Sequence, residues 1–439
     1  MKRLSFYIFS LSMAFPVVLQ AQSGNPVAGS DSLGLETVIN KVIETYPSVK
    51  KAELDIETAN AKIGLAKSAY YPNIDLSSNY SHVGPTSKFT LPGLGSFQMY
   101  PADNYSATVS VNQQIYDFGK TDKSVTLETQ SKVLSQMSVE QLKQRLSQTL
   151  VGNYYSIVFL QEAIRIKDEE LKTLNEHLRF VEKKAASGSA TQYEILTTKV
   201  RISNIENQKT DLLTTLQVQQ SQLNSFLGRS QQSALTLKEN IHAPEIVEEV
   251  GVLSNKALDQ RDELKIARQK SLMTNTRLKM VNVQNNPALN LFATGGYKNG
   301  YIPELGDLKA NYTVGVSFKV PLFDANRSKY NRQQVQTDLK AVDQDTELMR
   351  RNIVNEVVDC RANVDASLKK IAQSELQLQQ AQQAYQLAET SFKSGTITNL
   401  DLLDSSTSLA ESHLAVMKAR VDYTVSLLKL KIALGERIY

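Results

Sequence analysis

The sequence predicts a mainly α-helical protein with a β-barrel portion, built as two tandem structural repeats. Three observations carry that expectation. Very long stretches with almost no Gly or Pro place apolar residues at alternating steps of three and four, which is the seam of a coiled coil. Four shorter segments alternate apolar and polar residues at period two, the mark of strands with one apolar face. The whole series then recurs: Gly188 and Gly395, Glu194 and Asp401, and Leu196 and Leu403 are each 207 positions apart. Self-similarity at a fixed offset means a duplicated unit.

Composition narrows the class. With 439 residues, 41% hydrophobic and 21% charged, the chain is long enough for two or three domains and too apolar for disorder. A net charge of +4, without a Lys/Arg stripe interleaved with aromatics, gives no footprint for nucleic acid. Lys2 and Arg3 precede a mostly apolar run from Leu4 to Leu19, and Leu19-Gln20-Ala21 offers a cleavage site before Gln22. Residues 1–21 therefore read as a secretory signal peptide. The alternative is an uncleaved anchor helix, for which the run is short against the ~20 residues of a membrane span. No Cys follows the signal to carry a lipid. Cys360 is the single cysteine, so no intrachain disulfide forms, and its helical setting reads as a small core filler.

The first repeat spans 35–228. Leu35 to Ala69 is helical in pattern, with Pro47 marking a break or fresh start. Ile74, Leu76 and Tyr80 then alternate with Asn73, Asp75, Ser77, Asn79 and Ser81. A Gly/Pro/Ser-rich loop is expected from Gly84 to Ala102. Tyr105, Ala107, Val109 and Val111 alternate with Ser106, Thr108, Ser110 and Asn112. From Gly119 to Ala186 there is no Pro and Gly152 is the only internal Gly. A seam runs through Ile157, Leu160, Ile164, Leu171, Leu174, Leu178 and Val181, with Lys167 in the vacant position. At ~1.5 Å per residue this helix makes a rod of ~100 Å, longer than any single globular domain needs. A return helix runs from Gln192 to Leu227 and stops at Gly228.

Residues 229–251 read as a polar linker with one short apolar run, Leu235 and Leu237. The second repeat, 252–435, follows the same order. Leu289, Leu291, Ala293 and Tyr297 alternate with Asn290, Thr294 and Gly296, although Phe292 breaks the polar face. Tyr312, Val314, Val316, Phe318 and Val320 alternate with Thr313, Gly315, Ser317 and Lys319. Pro72 and Pro287 are 215 apart, whereas Asp117 and Asp324 are 207 apart, so the first strand hairpin has the longer loop by 8 residues. A second long helix covers about Asn326 to Lys393. Its return helix carries Leu400, Leu403, Thr407, Ala410, Leu414, Met417, Val421, Thr424 and Leu428.

Strands with one polar face fit a soluble sandwich if that face meets water. No second sheet is on hand to cover the apolar faces, and the helices are too long and thin to do so. Apolar-out, polar-in strands in a secreted chain fit an outer-membrane barrel with a wet lumen. Tyr70, Tyr71, Tyr116, Phe118 and Phe323 near the strand ends would form its aromatic girdle. Four strands cannot close a barrel, and open edges in lipid leave backbone groups unsatisfied, so the barrel must be shared between chains.

These features together resemble the TolC-type outer membrane efflux proteins, over essentially all of residues 35 to 435. The motifs are Tyr71-Pro-Asn, Gln114-Ile-Tyr-Asp-Phe-Gly119, Pro321-Leu-Phe-Asp324 and Ser394-Gly-Thr-Ile-Thr-Asn-Leu-Asp-Leu-Leu-Asp404. The resemblance implies a homotrimer with a shared twelve-strand transmembrane β-barrel in the outer membrane of a Gram-negative bacterium. It also implies a twelve-helix α-barrel extending through the periplasm. Its expected partners are a periplasmic adaptor protein, an inner-membrane pump of the RND or ABC type, and outer membrane lipid. The expected function is the exit duct of a tripartite efflux system. A duct for type I protein secretion shares the architecture, and a soluble periplasmic coiled-coil scaffold is the reading from a different class.

Asp401 and Asp404 match the two aspartates that ring the periplasmic mouth in this family, so they and Glu194 are the candidate pore-gate residues. Rings of carboxylates near one axis select cations and resist full ionisation. For Asp401 and Glu194 helix capping competes, because Thr398-x-x-Asp401 and Thr191-x-x-Glu194 are capping-box patterns. Asp404 lies beyond cap reach. The family's best-known member holds its mouth shut with an arginine and a tyrosine. The matching positions here are Ile397 and Phe392. Ser187, Gly188, Ser189 and Thr191, with Ser394, Gly395, Thr396 and Thr398, are small polar turns suited to adaptor docking, or plain turns. His82, His177, His242 and His413 are scattered, so no metal site is expected. No cofactor motif or catalytic constellation is present, and an enzyme is not expected.

Overall fold

A computed structural model describes residues 33–93, 95–238 and 248–439. The expected signal peptide over 1–21, and the linker stretch 239–247, lie outside the described residues. In chain order the elements are α1 (Leu35–Thr45), α2 (Pro47–Ser68), β1 (Asn73–His82), β2 (Lys88–Leu91), β3 (Gly95–Gln98), β4 (Asp103–Tyr116), α3 (Lys120–Ala186) and α4 (Gln192–Phe226). The second half has α5 (Val250–Gln260), α6 (Asp262–Val283), β5 (Ala288–Lys298), β6 (Lys309–Lys319), α7 (Arg327–Lys393) and α8 (Asn399–Ala433).

The halves match in length as well as order. α1 and α5 are each 11 residues, α2 and α6 22, α3 and α7 67, and α4 and α8 35. The break between α1 and α2 is local chemistry: Pro47 takes the first helical position and Tyr46 before it is extended. One expectation is corrected. The segment 84–102 is not all loop, because β2 and β3 pair within it as a small hairpin. Four-residue strands are too short to show alternation, and the flanking Gly and Pro masked them.

The main sheet runs β1-β4-β5-β6, with every neighbour antiparallel. Directly opposed residues share a face, so the register sorts the side chains. Ile74, Val111, Ala293 and Val314 form one apolar row, and Leu76, Val109, Gly295 and Tyr312 the next. The other face carries Asp75, Ser110, Thr294 and Thr313, and the Ser77 and Thr108 hydroxyls approach to 3.3 Å on it. The apolar face is bare: Leu76 is 77% exposed and Tyr312 84%. A sandwich would bury that face. Tyr70, Tyr71, Tyr116, Phe118 and Phe323, at the strand ends, are exposed too. Phe292, the odd apolar residue on the polar face, sits opposite Gly315, and a Cβ at Gly315 would meet its ring at 2.5 Å. The ring covers the gap that the missing side chain leaves. β1 and β6 each keep one unpaired edge.

Below the sheet the backbone turns sharply into the long helices, and the same device serves twice. Asp117 accepts from the amides of Gly119 (3.0 Å) and Thr121 (2.6 Å) at the head of α3. Asp324, its counterpart, accepts from the Ser328 amide (3.0 Å), the Asn285 side chain (2.6 Å) and the Ser328 hydroxyl at the head of α7. Burial opposes ionisation of Asp117, but donors from Thr121 and Gly119 outweigh it and hold the carboxyl below its usual value. Donation by Ser328 and Asn285 pulls Asp324 down to about 2.

The helical core gathers around α3. Val38, Ile39 and Val42 of α1 are fully buried and cluster with Leu150 and Tyr154 of α3, Leu223 of α4 and the buried Val421 of α8. Full burial of each aliphatic side chain is worth roughly 1.5–3 kcal/mol. The linker joins this cluster through Leu235 and Leu237, and Leu237 forms a parallel bridge with Leu33. A second cluster unites α5, α6, α7 and α8 through Leu253, Leu264, Val357 and Leu430. The vacant seam position, Lys167, is buried and ion-paired to Glu170 at 2.9 Å. Among the described residues no helix is long and apolar enough to cross a membrane.

Candidate functional site

The two helical turns at the far end from the sheet share one backbone solution. Gly188 (φ 76°) and Gly395 (φ 80°) take the left-handed conformation that ends a helix. The amides that follow close the motif: Ser189 bonds Lys184 O at 2.8 Å, and Thr396 bonds Ser391 O at 2.9 Å. Ser187 Oγ donates to Lys184 O and Ser394 Oγ to Ser391 O, so the turn hydroxyls satisfy local carbonyls. The faces of Ser187, Gly188, Ser189 and Thr191, and of Ser394, Gly395, Thr396 and Thr398, are exposed.

Both return helices then start on a full capping box. The Thr191 hydroxyl accepts from the Glu194 amide (3.3 Å), and Glu194 Oε1 accepts from the Thr191 amide (3.3 Å) and hydroxyl (3.1 Å). The Thr398 hydroxyl accepts from the Asp401 amide (3.2 Å), and Asp401 Oδ2 accepts from the Thr398 amide (2.9 Å) and hydroxyl (2.7 Å). Thr398 thereby holds the Asp401 carboxyl below the usual carboxylate range. Asp404 is exposed, one turn on. It pairs with Arg201 of α4 at 2.5 Å, a contact the sequence reading did not foresee.

Beneath the turns the two hairpins lock together. Leu174, Ile202, Ile205 and Leu403 form one apolar cluster across α3, α4 and α8. Phe392 is buried with Val181 and Leu402 in another, and Ile397 packs at its edge. The His177 ring meets Phe392 edge-on at 5.2 Å, and the Lys184 ammonium lies 4.7 Å from the Phe392 centroid. Phe392 and Ile397 are thus part of an apolar plug capped by a cation–π contact. A cavity of about 180 Å³ opens beside it between α3, α7 and α8, lined by Phe180, Tyr385, Phe392 and Leu402.

Asn399 sits at the first position of α8, 5% exposed. Its Oδ1 accepts from His177 Nε2 at 2.6 Å, and its Nδ2 faces Thr198 Oγ1 (3.3 Å), Glu194 O (3.4 Å) and Thr197 Oγ1 (3.5 Å). Burial keeps the His177 imidazole below its ordinary value, against the pull of the Asn399 bond. The sequence reading missed Asn399, His177 and Arg201 as a set. A signal was available in the register: Ala185 answers Phe392, Ala190 answers Ile397, and Ser408 answers Arg201. At these three positions the larger or charged member, Phe392, Ile397 or Arg201, makes a contact between the hairpins. Among the described residues no group of three or more His, Cys, Asp or Glu is placed to hold a metal ion.

The family model for outer membrane efflux proteins matches residues 38–229 and 253–436. The chain is 21% identical to the outer membrane protein TolC of Vibrio cholerae over 431 residues, covering 96% of this chain and 94% of that one. It is 22% identical to the proteases secretion protein PrtF of Dickeya chrysanthemi over 415 residues, covering 88% and 84%. The fold superposes on the crystal structure of the outer membrane protein VceC from Vibrio cholerae with a TM-score of 0.76, at 19% identity, covering 92% of this chain and 97% of that one.

Proposed function

The chain belongs to the outer membrane efflux protein family, and on that premise we propose that three copies form the exit duct of a tripartite efflux system. It is an outer membrane channel protein and not an enzyme. The observation that carries the shared duct is the bare apolar face of a four-stranded sheet whose two edges are unpaired. In lipid such edges must be paired. Pairing β6 of one copy with β1 of the next closes three sheets into a twelve-strand barrel, with the polar face lining a wet lumen. Helices α3, α4, α7 and α8 of three copies continue that lumen as a periplasmic tunnel. The two halves of the chain act as repeats in that ring.

At the mouth, Asp404, Asp401 and Glu194 form the acidic gate. Asp401 and Glu194 are engaged in caps, and Asp404 leads because its carboxylate stands clear of the cap and stays 61% exposed even while paired to Arg201. The turns Ser187–Thr191 and Ser394–Thr398 are the docking tips for a periplasmic adaptor fed by an inner-membrane pump of the RND or ABC type. No chemistry occurs on the way through. Likeness to PrtF favours a second reading, in which the same duct serves protein secretion. A soluble scaffold would leave the whole apolar sheet face in water, at about 25 cal/mol for each Å².

The test of the gate is electrical. Protein purified from outer membranes and placed in planar bilayers conducts ions, prefers cations and is blocked by multivalent cations. Asp404→Ala weakens both preference and block. Unchanged conductance, selectivity and blockade would remove Asp404 from the ring, and a wild-type protein that never conducts would remove the duct.

A further inference from the structure

Each chain contributes two helical hairpins to the mouth, α3–α4 and α7–α8, and a mouth that widens must move hairpins relative to one another. The positions expected to carry a polar closure hold Phe392 and Ile397, which form an apolar plug instead. Apolar contacts slide easily because they lack direction. Directional contacts between the hairpins at this level are few, and one residue gathers most of them. Asn399, on the first turn of α8, bonds α3 through His177 and α4 through Thr198, Thr197 and the Glu194 carbonyl. It is buried, and its amide sits between donors and acceptors that match it on both sides. The exposed Arg201–Asp404 pair adds a weaker, salt-screened link one turn further on.

We propose that Asn399 is the clasp of the closed mouth: a buried amide that staples the α7–α8 hairpin to the α3–α4 hairpin within each chain, so that opening requires its hydrogen bonds to break. The clasp rests on the exit-duct reading. It is a positioning residue, touching no cargo and acting through the two hairpins it joins. Breaking it leaves the His177 ring without its hydrogen-bond partner in the closed state, although the Thr198 hydroxyl keeps its bond to the Glu194 carbonyl, while the open state loses nothing. The penalty therefore falls on one state only, which is the condition for a population shift. The first hairpin holds no equivalent: the register counterpart of Asn399 is Gln192, which is exposed.

The experiment is single-channel recording of the reconstituted full-length protein, with the oligomer checked by its mass in detergent. Asn399→Leu raises the open-state population about tenfold with the oligomer intact, and Gln192→Leu leaves it at the wild-type level. A residue that merely stabilised the helix would lower oligomer yield without raising conductance. A reversible variant guards against misfolding. In a Cys360→Ala background, Thr198→Cys with Asn399→Cys gives a channel that is shut when oxidised and opens on addition of reductant. A conducting wild type whose Asn399→Leu channel matches it, and whose cysteine pair ignores reductant, overturns the clasp and leaves the duct standing. Absence of conductance in the wild type itself overturns the duct, and the clasp with it.

Discussion

α3 and α7 have the same length, begin on equivalent aspartate caps and end on equivalent glycine turns, yet they live in different surroundings. α3 buries residues from Val139 to Val181 and packs on α1, α2, α4, α6 and α8. α7 buries only Ile353, Val357, Val364, Ser367 and Phe392, and packs on α5, α6 and α8. Its Leu348, Leu376 and Leu387 stay exposed, Leu387 at 70%. Duplication supplied two rods of equal length, and the single chain buries far more of α3 than of α7. The apolar positions left over on α7 are the surface that a second copy of the chain would cover, just as the unpaired edges of β1 and β6 await strands. Among the long helices α3 is thus the buried member and α7 the exposed one, while the return helices run the other way, α8 burying more residues than α4.

Four perturbations break or sharpen that contrast. Lys167 and Glu170 are buried on α3, whereas the matching positions on α7 are Ser374 and Gln377. Lys167→Met strands a buried carboxylate and lowers unfolding stability by about 3–5 kcal/mol, and adding Glu170→Leu recovers most of it. Denaturant unfolding of both variants checks this. Phe392→Ala removes the one buried ring of the lower part of α7, at about 3–5 kcal/mol. Its signature is faster hydrogen exchange across 394–404, with 187–196 less affected. Leu387→Ser costs the isolated chain no more than about 0.5 kcal/mol, but weakens assembly, which a concentration series in detergent reads directly.

The smallest effect is confined to acid. The Asp324 carboxyl ionises near 2 in the folded protein, below its value in an unfolded chain. Its contribution is present above about pH 3.9 and is lost as pH falls toward about 2. Asp324→Asn flattens that part of the stability profile, as thermal melts between pH 2 and pH 5 register.

Much of this architecture is written in local periodicity. The seam of α8, the alternation in β4 and β6, and the Pro47 break are each set by residues within one element. Phe292 was legible as an anomaly, and its reason, the bare Gly315 across the strand pair, needed the register. The two capping boxes were readable because three-residue spacing decides them. The links at the mouth were not. His177–Asn399 joins positions 222 apart and Arg201–Asp404 positions 203 apart, and no periodicity within one helix reports on that. Lys167 was read only as the occupant of a vacant seam position, because its burial with Glu170 depends on packing that the period of one helix does not report.

The exit duct requires α7 and the sheet edges to be completed by other copies. The mass of the detergent-purified, full-length protein tests that most directly. Three chains per particle, held together until the detergent or heat unfolds them, is the predicted result. A stable single chain, or an open series of oligomers that does not stop at three, would contradict it.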